Sequence, residues 1–290
     1  MSKKIILITG ATRGLGKAAL LALAKQGHTL VFVARSAGAA EKVKTEIISE
    51  SANNNIDYVL GDLMDLKSIH KLVDDFKAKH DHLDVLLQIA GGNFGKTREE
   101  TVDGIEKTIA LNLVAPYLLN VLLLDSLSKS TEGRIVITAS AAYSLMAKPN
   151  FDDVELKENY NSNSAYGNAK LYLMLMADEL VKKVKERGLN ITVNTLHPGF
   201  VMNDKMRDFA FGKGFFGKAI LYPLMKLVTK TSEQGAESAI YLASSPEVEG
   251  KTGLYFSNSK PVKVKQKNFS DKTRKAIWEY CEKITDTRIS

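Results

Sequence analysis

Ile5-Ile6-Leu7-Ile8-Thr9-Gly10-Ala11-Thr12-Arg13-Gly14-Leu15-Gly16 decides how the rest of the chain is read. Four consecutive aliphatic residues enter a threonine and then three glycines spaced Gly-x-x-x-Gly-x-Gly. A run that is apolar at every position has no wet face, which suits a parallel strand covered on both sides. The glycines let the backbone turn sharply and approach another group closely. Leu15 to Gln26 is rich in Ala and Leu, and Gly27 is placed to stop it, which predicts a helix. Strand, glycine turn and helix in that order present free N–H groups and a positive dipole end to a pyrophosphate.

The same beat continues outward. Thr29 to Ala34 and Ile56 to Leu60 read as strands, and Ile69, Leu72, Val73 and Phe76 lie on one face of a helix. Leu83 to Ile89, Arg134 to Thr138 and Leu189 to Leu196 read as further strands, separated by helices. The expected fold is α/β: a doubly wound parallel sheet with helices on both faces, wound right-handedly. The beat reaches residue 256 without a linker, so residues 1–290 read as a single Rossmann domain. Residues 145–165 and 202–232 interrupt it and are expected to form substrate lids. Val262-Lys263-Val264-Lys265 alternates like a strand whose lysines point outward and blunt a sheet edge.

Composition narrows the class. The chain has 290 residues, 44% hydrophobic and 25% charged, which excludes collagen-like, low-complexity and disordered proteins. Cys281 is the one cysteine, so an intramolecular disulfide is excluded, and the cytoplasm or another reducing compartment is expected. Cys281 itself reads as a packed or surface thiol in the last helix. No apolar run reaches the ~18 residues that span a bilayer. Ile5 to Ile8 is too short for a signal-peptide core, so the mature chain is expected to begin at its own first strand. The net charge is +7, from 40 Lys and Arg against 33 Asp and Glu. Lys251, Lys260, Lys263, Lys265, Lys267, Lys272, Arg274 and Lys275 carry much of the excess. No aromatic-plus-basic motif accompanies them, so a solvated face around a phosphate-rich cofactor is expected rather than nucleic-acid binding. His28, His70, His80, His82 and His197 lack ligand spacing, and no metal is expected.

Several later motifs fall in a fixed order: Leu86 to Gly91, Asn112, Ser140 closing a strand, Tyr166-Gly167-Asn168-Ala169-Lys170, and His197-Pro198-Gly199-Phe200-Val201. With the glycine loop, and with Glu233 to Ala236, Tyr255 to Ser257 and Trp278-Glu279, this order resembles the short-chain dehydrogenase/reductase family. The late segments resemble its retinol-dehydrogenase-like branch. The resemblance covers nearly the whole chain and implies hydride transfer between a nicotinamide cofactor and a carbonyl or alcohol. It implies a catalytic set of Asn112, Ser140, Tyr166 and Lys170, with Lys170 also gripping the nicotinamide ribose. It places Gly10, Thr12, Arg13, Gly14, Leu15, Gly16, Arg35, Asp62, Leu63, Ala90, Gly91, Tyr166, Lys170, Pro198, Gly199 and Val201 at the cofactor. Two positions depart from the pattern. Gln88-Ile89 stands where the family has two asparagines, so their sheet-bracing hydrogen bonds must be made otherwise or lost. Asn203 stands near the family's threonine.

Elementary chemistry supports the tyrosine and lysine. Residues four apart on a helix share a face, so the Lys170 ammonium can sit near the Tyr166 phenol. A free phenol, with a pKa near ~10, is a poor base at neutral pH, and a nearby cation favours the phenolate. Ser140 can hold the substrate oxygen beside it. Tyr143 and Tyr172 have no lysine four residues later. Pro116 lies four residues after Asn112 and cannot donate to its carbonyl, so a kink is expected there. A freed buried carbonyl calls for a water, and the resemblance implies a relay water at Asn112.

The second strand ends Val33-Ala34-Arg35-Ser36 with no acid, and Arg13 lies in the glycine loop. Guanidinium forks suit a 2′-phosphate, so NADP(H) is favoured over NAD(H). The resemblance implies that Asp62 contacts the adenine, and a simple helix cap would look the same. Met206, Phe209, Phe211, Phe215, Phe216, Leu221, Tyr222, Leu224, Met225 and Leu227 make the second lid segment apolar. That suggests a lipophilic substrate or peripheral membrane contact, with a buried lid or homo-oligomer contact as the alternatives. The expected function is an NADP(H)-dependent oxidoreductase acting on a small-molecule carbonyl or alcohol, in the reductive direction on a lipophilic aldehyde or ketone. Its rivals are a nucleotide-binding sensor or scaffold without turnover, and a reductase of an activated double bond.

Overall fold

A computed structural model describes residues 3–201, 229–265 and 267–289. Its eight-stranded sheet contains β1 (Ile5–Thr9), β2 (Thr29–Ala34), β3 (Ile56–Leu60), β4 (Val85–Gln88), β5 (Gly133–Thr138), β6 (Ile191–His197), β7 (Tyr255–Ser257) and β8 (Lys260–Val262). The order across the sheet is β3-β2-β1-β4-β5-β6-β7-β8, parallel except for the final antiparallel pair. Strand order reverses between β1 and β4, where Thr9 pairs with Gln88. That switch point opens a crevice beyond the carboxyl ends of the strands.

Helices cover both faces, as the all-apolar strands require. On one face α1 (Gly14–Lys25), α2 (Ala37–Ser51) and α9 (Ser232–Ser244) bury Ile6, Ile8, Phe32 and Leu87. On the other, α3 (Leu66–Lys77) and α8 (Ser162–Glu186) bury Leu7, Val31, Leu86 and Ile137. The same face carries the short α4 (Lys107–Ile109), α5 (Ala115–Leu122), α6 (Leu124–Ser128) and α7 (Ala142–Leu145). The terminal α10 (Asp271–Thr285) lies on α8 and α5, with Trp278 edge-on to Tyr117 at 4.9 Å and Cys281 wholly buried.

Two local expectations change, and a third falls mostly outside the described residues. The strand read at Val262–Lys265 ends at Val262. Beyond it Lys265 N–H donates to the Tyr143 hydroxyl at 2.9 Å, which draws the chain off the sheet edge. The edge is still blunted, because the strand is three residues long and holds Pro261, which cannot donate to a ladder. The expected kink at Pro116 takes the form of a π-turn, Ala110–Val114, between α4 and α5. Ala115 N–H donates five residues back to Ala110, one residue before the proline that cannot close an α-helical bond to Asn112. Of the expected lid at 202–232, residues 202–228 lie outside the described residues, and so does Asn203.

His28 gives the sheet's amino-terminal side a pH dependence. It is wholly buried; its Nδ1 accepts Lys4 N–H at 3.2 Å, and its Nε2 faces Gln26 Oε1 at 3.3 Å. Burial first, and then the Lys4 charge, hold its pKa below the ordinary 6.5, against a weaker opposing pull from Asp84. The unfolded chain therefore binds the extra proton more readily. The stability contribution is complete above pH 6.5 and is lost as pH falls below it. Thermal melts are expected to show Tm dropping by about 2–4 °C on acidification below that point, with a shallower slope in His28→Gln. Equal slopes in the two proteins would show that His28 is not the group responsible.

Candidate active site

The glycine loop closes under β4. Gly10 has φ +73°, and a Cβ there would lie 2.7 Å from Ala90 N. A Cβ on Gly16 would overlap the Gly10 carbonyl. Gly14 has φ +52° and open space, with only Ser232 Oγ within 4 Å, at 3.9 Å. Arg13 is the N-cap of α1 but makes no side-chain cap bond, and the first turn holds no acid. The N–H groups there are left for another acceptor, and a diphosphate fits both the space and the dipole. Thr9 Oγ1 accepts N–H bonds from Ile89 and Ala90, each at 3.2 Å, so β1 braces the end of β4. Gln88 instead turns into the core and donates to Asn120 Oδ1 at 2.5 Å, leaving its own Oε1 without a partner.

Arg13 and Arg35 are exposed and have no ion-pair partner among the described residues. Ser36, beside Arg35, caps α2 without a side-chain bond. Asp62 is not a helix cap, since Asp65 caps α3 through Ser68 N–H at 3.1 Å. Asp62 Oδ1 accepts Met64 N–H at 3.0 Å, which fixes the turn after β3. Leu63 packs against the core beside it. Thr12 and Leu15 are half-buried in the loop.

β5, α8 and the π-turn bring together the residues expected to exchange the proton. Ser140 follows β5, and its Oγ accepts Ala142 N–H at 3.3 Å. Asn161 caps α8 through Asn163 and Ser164 N–H, which sets the phase that turns Tyr166 and Lys170 to one side. Lys170 Nζ donates to the Thr138 carbonyl at 2.9 Å and lies 5.9 Å from the Tyr166 ring centre. Complete burial lowers the Lys170 pKa to about 7, so amine and ammonium coexist at neutral pH. Tyr166 differs from the expectation. Burial raises its pKa, and a hydrogen bond with Ser140 only partly offsets this. A lysine whose own charge is suppressed does little to stabilise a phenolate.

Asn112 is fully buried. Its Nδ2 donates to Gly92 O at 2.7 Å and Thr108 O at 2.8 Å, and its Oδ1 accepts Gly92 N–H at 3.2 Å. A Cβ on Gly91 would sit 2.9 Å from Asn112 Oδ1 and 3.2 Å from Lys170 Nζ. Gly91, Asn112 and Lys170 therefore meet at one point. Across the crevice, a Cβ on Gly235 would lie 2.6 Å from Val201 and 3.1 Å from Leu15. The Pro198–Val201 turn thus rests on the glycine-loop helix and on α9.

Other residues, not singled out by spacing, shape the site. Lys230 N–H donates to Phe200 O at 2.8 Å and its Nζ donates to Asn258 Oδ1 at 2.6 Å, which holds the turn at Gly199. His197 Nδ1 accepts Ala141 N–H at 3.4 Å, immediately behind Ser140. Asn168, inside the Tyr-x-x-x-Lys stretch, exchanges two hydrogen bonds with the Lys148 backbone. The Tyr172 hydroxyl does the same with Asn150. Much of the segment expected as the first lid is therefore fastened to α8. Short-range patterns could not reveal these contacts, because each partner lies at least 20 residues away. Tyr143 likewise packs on Tyr255 and Phe269.

Among the described residues no group of His, Cys, Asp or Glu could hold a metal, and no helix is long and apolar enough to cross a membrane. Residues 4–210 match the family model for short chain dehydrogenases. Human retinol dehydrogenase 14 is 32% identical, over 97% of this chain and 86% of its own length. The chloroplastic short-chain dehydrogenase TIC 32 B of Brassica napus is 32% identical, over 97% of this chain and 88% of its own. An uncharacterized protein of Mycobacterium paratuberculosis shares the fold at TM-score 0.77 and 21% identity, covering 100% of this chain and 96% of that one. Glycine loop, strand order and sequence relatives agree: this chain belongs to the short-chain dehydrogenase family of oxidoreductases, in its retinol-dehydrogenase-like branch.

Proposed function

We propose that the protein is an NADP(H)-dependent carbonyl reductase acting on a lipophilic aldehyde or ketone. The observation that carries this reading is the buried Lys170 amine beside the Tyr166 phenol, which is itself hydrogen-bonded to Ser140. When bound, the nicotinamide supplies the hydride. Ser140 orients the substrate oxygen, and the Tyr166 hydroxyl gives it a proton. Burial that keeps Tyr166 protonated suits this reductive direction, because the acid form is the donor. Lys170 and Asn112 return the proton, with the amine able to change state near neutral pH.

Gly10, Thr12, Gly14, Leu15 and Gly16 form the diphosphate cradle, with Asp62, Leu63, Ala90, Gly91, Pro198, Gly199 and Val201 around the rest of the cofactor. Arg13 and Arg35, exposed and without ion pairs among the described residues, support preference for a 2′-phosphate. Leu145, Met146 and Phe200, exposed apolar residues in the segments after Ser140 and Gly199, support an apolar substrate. Retinol, the alcohol in the name of the human relative retinol dehydrogenase 14, is of that kind.

NADPH oxidation with a panel of carbonyls tests the reading. Turnover that favours long apolar aldehydes or ketones is expected. Cofactor binding without turnover would leave a nucleotide-binding scaffold. Arg35→Asp is expected to raise KM for NADPH about tenfold or more, since a charged hydrogen bond is lost, while KM for NADH stays level or falls. An unchanged NADPH/NADH ratio would show that Arg35 does not read the phosphate.

A further inference from the structure

Beneath the start of α4 lies a buried acidic pair with no part in binding or proton transfer. Glu106 is 1% exposed and Glu155 is 6% exposed. Glu106 Oε2 accepts Ile109 N–H at 2.8 Å and so caps α4, while Ala110 N–H donates to the Glu106 carbonyl at 2.8 Å. Glu155 Oε2 accepts Glu106 N–H at 3.0 Å and Arg98 Nη2 at 3.3 Å. The Tyr160 hydroxyl donates to Glu106 Oε1 at 3.4 Å. Tyr160 immediately precedes Asn161, the cap of α8.

One carboxylate thus ties the first turn of α4 to the residue just before the cap of α8. Six residues after Glu106 stands Asn112, and six after Tyr160 stands Tyr166. The link matters because the π-turn is an uncommon conformation that the backbone does not favour unaided. At its carboxyl end Pro116 removes the competing α-helical bond. At its amino end the cap at Ile109 fixes where the π register begins.

We propose that Glu106, held by Glu155 and Tyr160, is a positioning residue that keeps Asn112 in π register and in line with Lys170 and Tyr166. The proposal rests on the proton-transfer reading given above. Two oxygens of one buried group serve two elements, so a carboxylate or its amide isostere can fill the position and an apolar residue cannot. Both Glu106 oxygens are satisfied, by Ile109 N–H and the Tyr160 hydroxyl, and the Arg98 guanidinium lies on the adjoining Glu155.

The test uses the full chain with NADPH and an aldehyde that the native protein reduces. Glu106→Ala should lower kcat about tenfold or more, because small displacements of relay groups are costly, while KM and the cofactor Kd hold within about twofold. Its kcat–pH profile should also shift. Glu106→Gln should restore most of kcat, since its amide oxygen still accepts from Ile109. Tyr160→Phe keeps the cap, loses the tie to α8 and should fall between them, and it decides the matter should Glu106→Ala fail to fold. Amide hydrogen exchange over residues 107–116 provides a readout without turnover and should quicken in Glu106→Ala and Tyr160→Phe. Unchanged kcat and pH profile, or a rise in KM and Kd alone, would overturn the proposal. A native protein that reduces nothing defeats the functional reading instead, and unaltered exchange would then defeat the brace separately.

Discussion

Tyr166→Phe is expected to cut kcat/KM for carbonyl reduction about a thousandfold, the scale of a lost general acid, while cofactor affinity stays within about twofold. Phenylalanine keeps the ring against its neighbours and removes only the hydroxyl. On the proposed reading Ser140 would still orient the substrate oxygen, but the proton donor would be gone. Lys170 is not placed to substitute, because its amine donates to the Thr138 carbonyl and lies 5.9 Å from the phenol ring centre. Alcohol oxidation should respond to pH in the opposite sense to reduction. It needs the phenolate, which burial disfavours, so its rate should climb as pH rises above neutral. A Tyr166→Phe protein that retains a tenth of native turnover would remove the phenol from the mechanism.

Gly16→Ala is expected to weaken cofactor binding about tenfold to a hundredfold, in line with the loss of one or two charge-assisted hydrogen bonds. The new methyl would collide with the Gly10 carbonyl, 2.7 Å from its carbon, and lie 3.0 Å from Ala11 Cα. All of these are backbone atoms, so the loop itself must move off its phosphate-facing path. The strain should cost about 1–3 kcal/mol of stability. Gly38→Ala is the control, since a methyl there meets open space beyond its own helix among the described residues, and a helix gains from alanine. Calorimetry with NADP on both variants measures the difference. Native affinity in Gly16→Ala would mean that the diphosphate does not rest on this loop.

The fold was legible because its evidence is short-range. Apolar runs at Ile5, Thr29, Ile56 and Arg134, with glycine or polar turns between them, forecast strands that lie within two residues of those observed. The doubly wound order then follows from handedness and from the length of the crossovers. That Tyr166 and Lys170 would share a helix face was legible for the same reason, since they sit one helical turn apart. Asn112 and Ser140, by contrast, were singled out only by the family resemblance. Other features rest on contacts that sequence spacing does not encode. Asn168 reaches Lys148, Lys230 reaches Asn258, and Glu106 reaches Tyr160 over 54 residues. The π-turn escaped because a proline announces a lost bond without saying how the helix repairs it. The lowered phenol pKa was expected from the proximity of a cation, but burial of the phenol itself raises it, with the Ser140 hydrogen bond only partly offsetting that. Burial also lowers the Lys170 pKa.

The terminal helix has a further use through its one thiol. Cys281 is wholly enclosed between α10 and the core, and burial raises its pKa further, so the reactive thiolate is scarce in the closed protein. A labelling reagent therefore waits for that helix to lift away. The rate at which the chain takes up label becomes a clock for local opening, built in without any added probe.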